Sequence, residues 1–221
     1  IIAGRYKNPT SLSASEAIKD KEKAIKSTWD SSILPYLDAN RHNLHEHLVV
    51  LSDVKIQPTA STPLTSLNGL TGLESCIVGH PRSHLKFLPV LDGYPSKLLL
   101  TTGAVTLENY TDTKIGKSSE FNHQIGCVIV ELDGDIFHIR QIIAEKNGDF
   151  YDLNYRIRNR RIYDNDKVEV AVLGDIHLTA EDVENVDTSF DMLDKFNPNH
   201  VILHDIIDHS SISHHEKRNP F

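Results

Sequence analysis

Apolar positions along this chain fall into short runs, and their spacing changes the expected element from one segment to the next. Ala17, Ile18, Ala24 and Ile25 recur at helical intervals behind Ser13-Ala-Ser-Glu16, which has capping-box spacing, and predict a helix over 14–29. Trp29, Ile33, Leu34, Tyr36 and Leu37 predict a second amphipathic segment broken near Pro35, so that 1–47 reads as a helical lead-in. Leu48-Val-Val-Leu51 has the length and composition of a buried strand. The Pro-, Thr-, Ser- and Gly-rich stretch 57–72 predicts a long ordered loop or an excursion over the surface. Strands are expected at 74–79 and 97–102, with Gly79-His-Pro-Arg82 as a turn between them. The clearest hairpin joins 125–132 to 135–143 through Asp133-Gly134. From 151 to 163, Tyr155, Ile157 and Ile162 alternate with Arg156, Arg158, Arg160 and Arg161.

The stretch around which the chain is organised lies near its end. Lys167-Val-Glu-Val-Ala-Val-Leu-Gly-Asp-Ile-His177 and Asn199-His-Val-Ile-Leu-His-Asp-Ile-Ile-Asp208 are apolar runs that end in acidic and imidazole side chains, and 183–196 between them reads as a helix. A strand, a crossover helix and a parallel strand bring both strand ends to one edge of a sheet. Asp175, His177 and Asp205 are therefore expected to converge at the carboxyl edge, where open α/β sheets bind their ligands.

Length and composition narrow the picture. The 221 residues are enough for one large or two small domains with a proper core, and 39% hydrophobic with 24% charged residues is globular. A formal charge of -8 argues against nucleic-acid binding through overall charge, but an acidic metal site brings its own cations to a phosphate. Cys76 and Cys127 each lie in an apolar run and offer no disulfide framework, which points to a reducing compartment. No apolar run is long enough to cross a bilayer and no signal-peptide pattern is present, so no membrane is expected as a partner. The chain starts without methionine and stops soon after the candidate ligands, and is expected to be a piece of a longer protein.

Several clusters invite chemistry. His42, His45 and His47 do not have the spacing of a closed zinc site and read as a polar loop. Asp53, two residues before Lys55, echoes the Asp175 and His177 arrangement but reads as an ordinary strand end. His80, Arg82 and His84 suggest either a phosphate contact or a polar turn, and Thr101-Thr-Gly-Ala-Val-Thr106 is small enough for a ligand to approach its backbone. Arg156, Arg158, Arg160 and Arg161 fit two readings equally, a track for a phosphate backbone and an edge strand guarded by charge.

At the organising stretch the donors are carboxylates and an imidazole, a set that suits divalent transition ions. Asp175 and His177, two apart, share a face of an extended segment; Asp205, one strand over, has oxygens for a second ion. Asp208 and His204 are expected to orient these ligands from behind. His209, His214, His215 and Glu216 follow close behind and fit two readings equally, a polar loop that is rich in histidine and a functional cluster in which His209, His214 and His215 are the candidates for protonating a leaving oxygen.

These residues resemble the calcineurin-like metallophosphoesterases. Gly174-Asp-Ile-His177 matches the first Asp-x-His motif, and Asp205-Ile-Ile-Asp208 matches the second, with His204 where glycine is usual. Later motifs of that superfamily have no counterpart before Phe221. Carried over, the resemblance implies that Asp175 and His177 bind one metal and Asp205 bridges two, most readily Mn2+ or Mg2+. Leu51-Ser-Asp-Val-Lys-Ile-Gln-Pro-Thr-Ala60, Thr101–Thr106 with Asn109-Tyr110, and the ending His204–Glu216 narrow the likeness to the pre-early DNA-degrading, or first-step DNA-transfer, proteins of T-five-like bacteriophages.

The expected fold is mixed α/β: a helical lead-in over 1–47, an amino-terminal α/β domain with a β-hairpin over 48–165, and the first β-α-β unit of a metallophosphoesterase sandwich from 166 to 221. The resemblance implies a metal-dependent deoxyribonuclease in the cytoplasm of an infected bacterium, with DNA as its partner and this piece inactive alone. Self-association is left open. Two other readings stand beside it: a phosphatase of small phosphoesters, and a non-enzymatic DNA-binding or assembly subunit with a vestigial metal site.

Overall fold

The computed structural model describes residues 1–2, 30–54, 56–91, 93–164, 167–176, 183–204 and 206. The helix expected over 14–29 lies outside them. The chain divides into two compact units, Ile1–Phe150 and Tyr151–Phe221, a division that falls ahead of the Asp164 turn where the sequence suggests a boundary. No helix among the described residues is long and apolar enough to cross a membrane.

The first unit is built on a five-stranded sheet. Its strands are β1 (Arg41–His45), β2 (Leu48–Leu51), β3 (Ser75–Val78), β4 (Leu85–Leu88) and β5 (Lys97–Thr101), in the order β1-β2-β3-β5-β4. The three apolar strands β2, β3 and β5 run parallel at the centre, and β1 and β4 close the edges antiparallel. Arg41–His45 is thus an edge strand, where the sequence suggests lead-in and polar loop. Helix α1 (Lys114–Phe121) follows, capped by the Thr113 hydroxyl, which accepts from the Gly116 amide at 3.1 Å. The hairpin β6 (Gly126–Asp133) and β7 (Ile136–Ile143) pairs in register along its whole length. Its two-residue loop is Gly134-Asp135, one residue on from the expected turn, with Gly134 at φ 57.

Parallel strands normally need a helical crossover to cover the sheet. Between β2 and β3 the described residues form no helix; Leu64 and Leu67, 4% and 6% exposed, pack on Val49, Leu51, Cys76, Val78 and Leu99 instead. The other face, Leu48, Ile77 and Leu100, is covered by Val128, Val130, Phe137 and Ile139 of the hairpin. Each buried leucine contributes about 1.5–3 kcal/mol relative to exposure. Cys76 is wholly buried, and burial pushes its thiol up to about 11, whereas Cys127 on β6 is exposed; neither forms a disulfide.

A loop so long needs polar anchors, because its backbone carbonyls lose water where it crosses the sheet. Lys97, only 4% exposed, supplies one: its ammonium donates to the Asn68 carbonyl at 2.9 Å and the Gly72 carbonyl at 2.5 Å.

The second unit contains a three-stranded sheet, β8 (Phe150–Asp152), β9 (Tyr155–Arg158) and β10 (Arg161–Tyr163), in the order β10-β9-β8. It also contains β11 (Val170–Asp175), helix α2 (Val183–Phe196) and β12 (His200–His204). Strands β11 and β12 pair parallel, as the sequence suggests. Helix α2 stops at Asn197, whose left-handed φ of 43 lets its amide donate to the Leu193 carbonyl at 2.7 Å, and Pro198 prevents continuation. Val170, Val172, Val201 and Ile202 of the strand pair are 43–63% exposed.

Replacing Lys97 by Met keeps the buried stem and removes two charge-assisted hydrogen bonds, so unfolding is expected to become easier by about 2–4 kcal/mol. Urea denaturation followed by circular dichroism measures this; an unchanged midpoint would show that the ammonium anchors nothing.

Candidate functional site

The β11–α2–β12 unit brings two chain segments to one edge. Register runs from Val170 opposite His200 to Val172 opposite Ile202, then shifts, so that Asp175 stands opposite His204. Without the extra residue of that bulge the count would carry 175 to 205. Bulges recur where a strand end must aim side chains toward a site. The Ile176 amide donates to the His204 carbonyl at 3.2 Å, which keeps the two segments paired one step beyond Asp175. At the opposite end the amides of Asn199 and His200 donate to the carbonyls of Val168 and Glu169, both at 3.0 Å, and the Asn199 side chain donates to the Glu169 carboxylate at 2.7 Å.

Asp175 is therefore fixed in backbone position as the last residue of β11. His204 is exposed at the end of β12 and is not among the residues with positive φ, so its place in the strand does not require the glycine that the motif usually carries. His177, Asp205, Asp208, His209, His214, His215 and Glu216 lie outside the described residues. Among the described residues no group of three His, Cys, Asp or Glu side chains is close enough to hold a metal ion. That includes the amino-terminal histidines: the His42 ring bonds the Asp38 carboxylate at 2.6 Å, and His45 lies tilted between His47 and Phe137. Asp53 is occupied by Arg41, which donates to both its oxygens at 3.3 and 3.1 Å across the β1–β2 pair.

The arginines behave differently from a simple alternation. Arg158 stands opposite Arg161, Ile157 opposite Ile162 and Arg156 opposite Tyr163. Side chains two apart on a strand share a face, so Arg156, Arg158, Arg161 and Tyr163 lie on one face and the isoleucines on the other. The guanidinium carbon of Arg156 is 5.2 Å from the centre of the Tyr163 ring. Asn159 and Arg160 make the turn with φ of 50 and 61, the two left-handed positions of a type I′ hairpin. Asn suits the first; Arg at the second costs about 1 kcal/mol against the glycine usually found there. The aromatic partner of Arg156 was hidden in the sequence because it depends on cross-strand register.

Comparison with known proteins gives one curated relative. The chain is similar to Protein A1 of Escherichia phage T5, 29% identical over 206 residues. That match covers 86% of this chain and 36% of the relative, so the chain spans about a third of that protein's length. No family model matches the chain. No solved structure matches it.

The carboxyl edge of the first unit's sheet gathers the other polar segments singled out above. His80, 3% exposed, bridges two of them: its Nε2 donates to the Gln57 carbonyl at 3.1 Å while its Nδ1 accepts from the Arg82 amide at 3.1 Å. Those roles require the neutral imidazole. The Thr101 hydroxyl, fully buried, donates to the Arg82 carbonyl and accepts from the His84 amide, both at 2.7 Å. Gln141 of the hairpin donates to the Thr101 carbonyl at 3.0 Å and accepts from the Ser83 hydroxyl at 2.7 Å. Nearby, the Tyr110 hydroxyl bonds His123 at 2.9 Å, and the far nitrogen of that ring bonds the Thr106 carbonyl at 2.8 Å. Both nitrogens of His80 are thus committed to holding the turn together, which favours the polar-turn reading for His80 over a phosphate contact.

Burial, only partly offset by the Gln57 and Arg82 hydrogen bonds, lowers the pKa of His80, and burial with the charge of Arg82 lowers that of His84. A histidine depressed in the folded state stabilises above its unfolded value and loses that contribution as pH falls. Stability is therefore expected to fall as pH drops below 6.5, where the unfolded chain takes up a proton that native His80 refuses, and to level off below the lowered folded value. His80→Leu should unfold more easily at neutral pH by about 2–4 kcal/mol and show a flatter pH profile below 6.5. Urea midpoints measured at several pH values check both; parallel profiles would remove His80 as the cause.

Proposed function

We propose that this chain contributes the opening part of a metal-dependent phosphodiesterase domain, and that the complete protein is a phage deoxyribonuclease acting on host DNA in the bacterial cytoplasm. The observation that carries this reading is the parallel β11–α2–β12 unit, whose register sets Asp175 beside the residue that precedes Asp205. The relative from a phage supports the setting.

The donor set of two carboxylates and one imidazole fits a divalent transition ion by its chemistry. Asp175 and His177 would hold one ion, and Asp205 would serve as a ligand for that ion and for a second. Mn2+ or Mg2+ bound there would neutralise the charge that gathers on a phosphodiester and lower the pKa of an attacking water. The chain's own contribution is positional. Strand pairing fixes the backbone of Asp175 and the step before Asp205, and Asp208 and His204 would orient the ligands. The leaving oxygen needs a proton, which His209, His214 or His215 would supply.

Asp175→Ala and Asp205→Asn, each in the complete protein, are expected to lower DNA hydrolysis by roughly two orders of magnitude or more without changing the circular dichroism spectrum. Full activity from both variants in added manganese would refute the assignment. Chelation should abolish wild-type hydrolysis and Mn2+ should restore it; turnover that survives chelation would exclude a metal mechanism. Faster hydrolysis of a small aryl phosphate than of linear DNA would redirect the reading to a phosphatase.

A further inference from the structure

The carboxyl edge of the first unit's sheet holds a guanidinium that no carboxylate neutralises. Of the three arginines described in this unit, Arg41 pairs with Asp53 and Arg140 with Glu131, whereas Arg82 makes no ion pair among the described residues. Its side chain donates once, to the Ser61 carbonyl at 3.3 Å, which uses one N–H of five. Two residues on, the half-buried His84 ring makes no hydrogen bond among the described residues, in contrast to the ring of His80.

The backbone that carries these two side chains is tied down at each polar atom. The Arg82 amide donates to His80, and the Arg82 carbonyl accepts from the Thr101 hydroxyl. The His84 amide donates to that same hydroxyl, and the His84 carbonyl accepts from the Thr101 amide at 3.0 Å. Ser83 between them is held by Gln141. An ordinary surface turn is made by residues such as Gly, Pro, Asn or Asp and needs no buried anchor. Here two interior polar side chains, His80 and Thr101, are committed to fixing three residues. Such support is what a recognition site needs to hold its first contacts in place. The turn also lies just beyond the last residues of the parallel strands β3 and β5, the edge at which open α/β sheets bind ligands.

The charge of Arg82 reaches both the His84 ring and the Tyr110 hydroxyl and lowers the pKa of each, so the three groups border one patch. Burial, aided by that charge, keeps His84 neutral near pH 7 with one N–H to donate. Glu108, whose charge also reaches Tyr110, is already paired with Lys146 at 2.6 Å.

We propose that Arg82 and His84 form a binding site for a phosphate group at the carboxyl edge of the first unit's sheet. The guanidinium presents a planar fork that matches two phosphate oxygens, and the His84 ring supplies a further donor. The choice of phosphate over carboxylate rests on the function proposed above. The site itself belongs to a different unit from Asp175 and requires no metal.

The test is isothermal titration calorimetry of the intact protein, stripped of divalent ions, with inorganic phosphate, a 5′-mononucleotide and a short DNA oligonucleotide in separate arms. With the metal removed, the result does not depend on whether the complete protein hydrolyses DNA. Arg82→Gln is expected to weaken binding by about tenfold or more, and Arg82→Lys by less, because it keeps the charge and loses the fork. His84→Gln separates contact from folding: its ring bonds nothing that holds the turn, so the urea midpoint should stay at the wild-type value while affinity falls several-fold. Lys86→Gln, exposed on β4, should bind as wild type does. Tightest binding of the mononucleotide would assign the site to a phosphomonoester, and of the oligonucleotide to a phosphodiester backbone; the proposal stands in either case. Absence of saturable binding in all three arms, wild-type affinity in both Arg82→Gln and His84→Gln, or acetate binding as tightly as phosphate would overturn it.

Discussion

Everything in the first unit depends on how its parallel sheet is covered where the described β2–β3 connection forms no helix. Strands β2, β3 and β5 are buried on both faces, and the described part of the β2–β3 connection supplies turns and loop where a crossover helix is usual. Two leucines give it apolar contact, but the connection holds its path because Lys97 gathers the Asn68 and Gly72 carbonyls and His80 takes that of Gln57. These anchors come from the beginning of β5 and the end of β3, so the loop is tied to opposite ends of the sheet it covers. The cost is two polar side chains in the interior, and it is offset only because each has its partners.

The second unit works by register instead of burial. Pairing between β11 and β12 sets which residues stand abreast at the carboxyl edge, and the bulge after Val172 decides that Asp175 meets His204. In the neighbouring hairpin, register again does the sorting: it collects the charged side chains on one face and the two isoleucines on the other. Both features are set by backbone hydrogen bonds, so neither relies on a large core.

Much of this was legible in the sequence, and what was missed has a common cause. Strands β2, β3 and β5 announce themselves as short apolar runs because they are buried on both faces, and the β6–β7 hairpin does so through two β-rich runs flanking a turn dipeptide. Strand β1 does not, since Arg41-His-Asn-Leu-His45 is a solvated edge whose identity comes from pairing with β2. Strand β4 is an edge as well, with Leu85 and Phe87 turned outward. Helix α1 escapes detection because it buries only Gly116 and Ser119, which leaves no apolar stripe at helical spacing. For the candidate site, the strand-helix-strand order around Asp175 was readable from periodicity, and the alternation of Arg156, Arg158 and Arg161 was visible. The bulge, the opposition of Arg158 and Arg161 and the stacking of Arg156 on Tyr163 were not, because each is a relation between strands.

The two cysteines end up in opposite worlds. Cys76 sits sealed between central strands as a protonated thiol, while Cys127 faces water on the hairpin. A maleimide dye applied to the native protein would find one sulfur and leave the other until the sheet opens. The chain thus carries its own built-in attachment point and, in the second sulfur, a chemical clock for unfolding of its core.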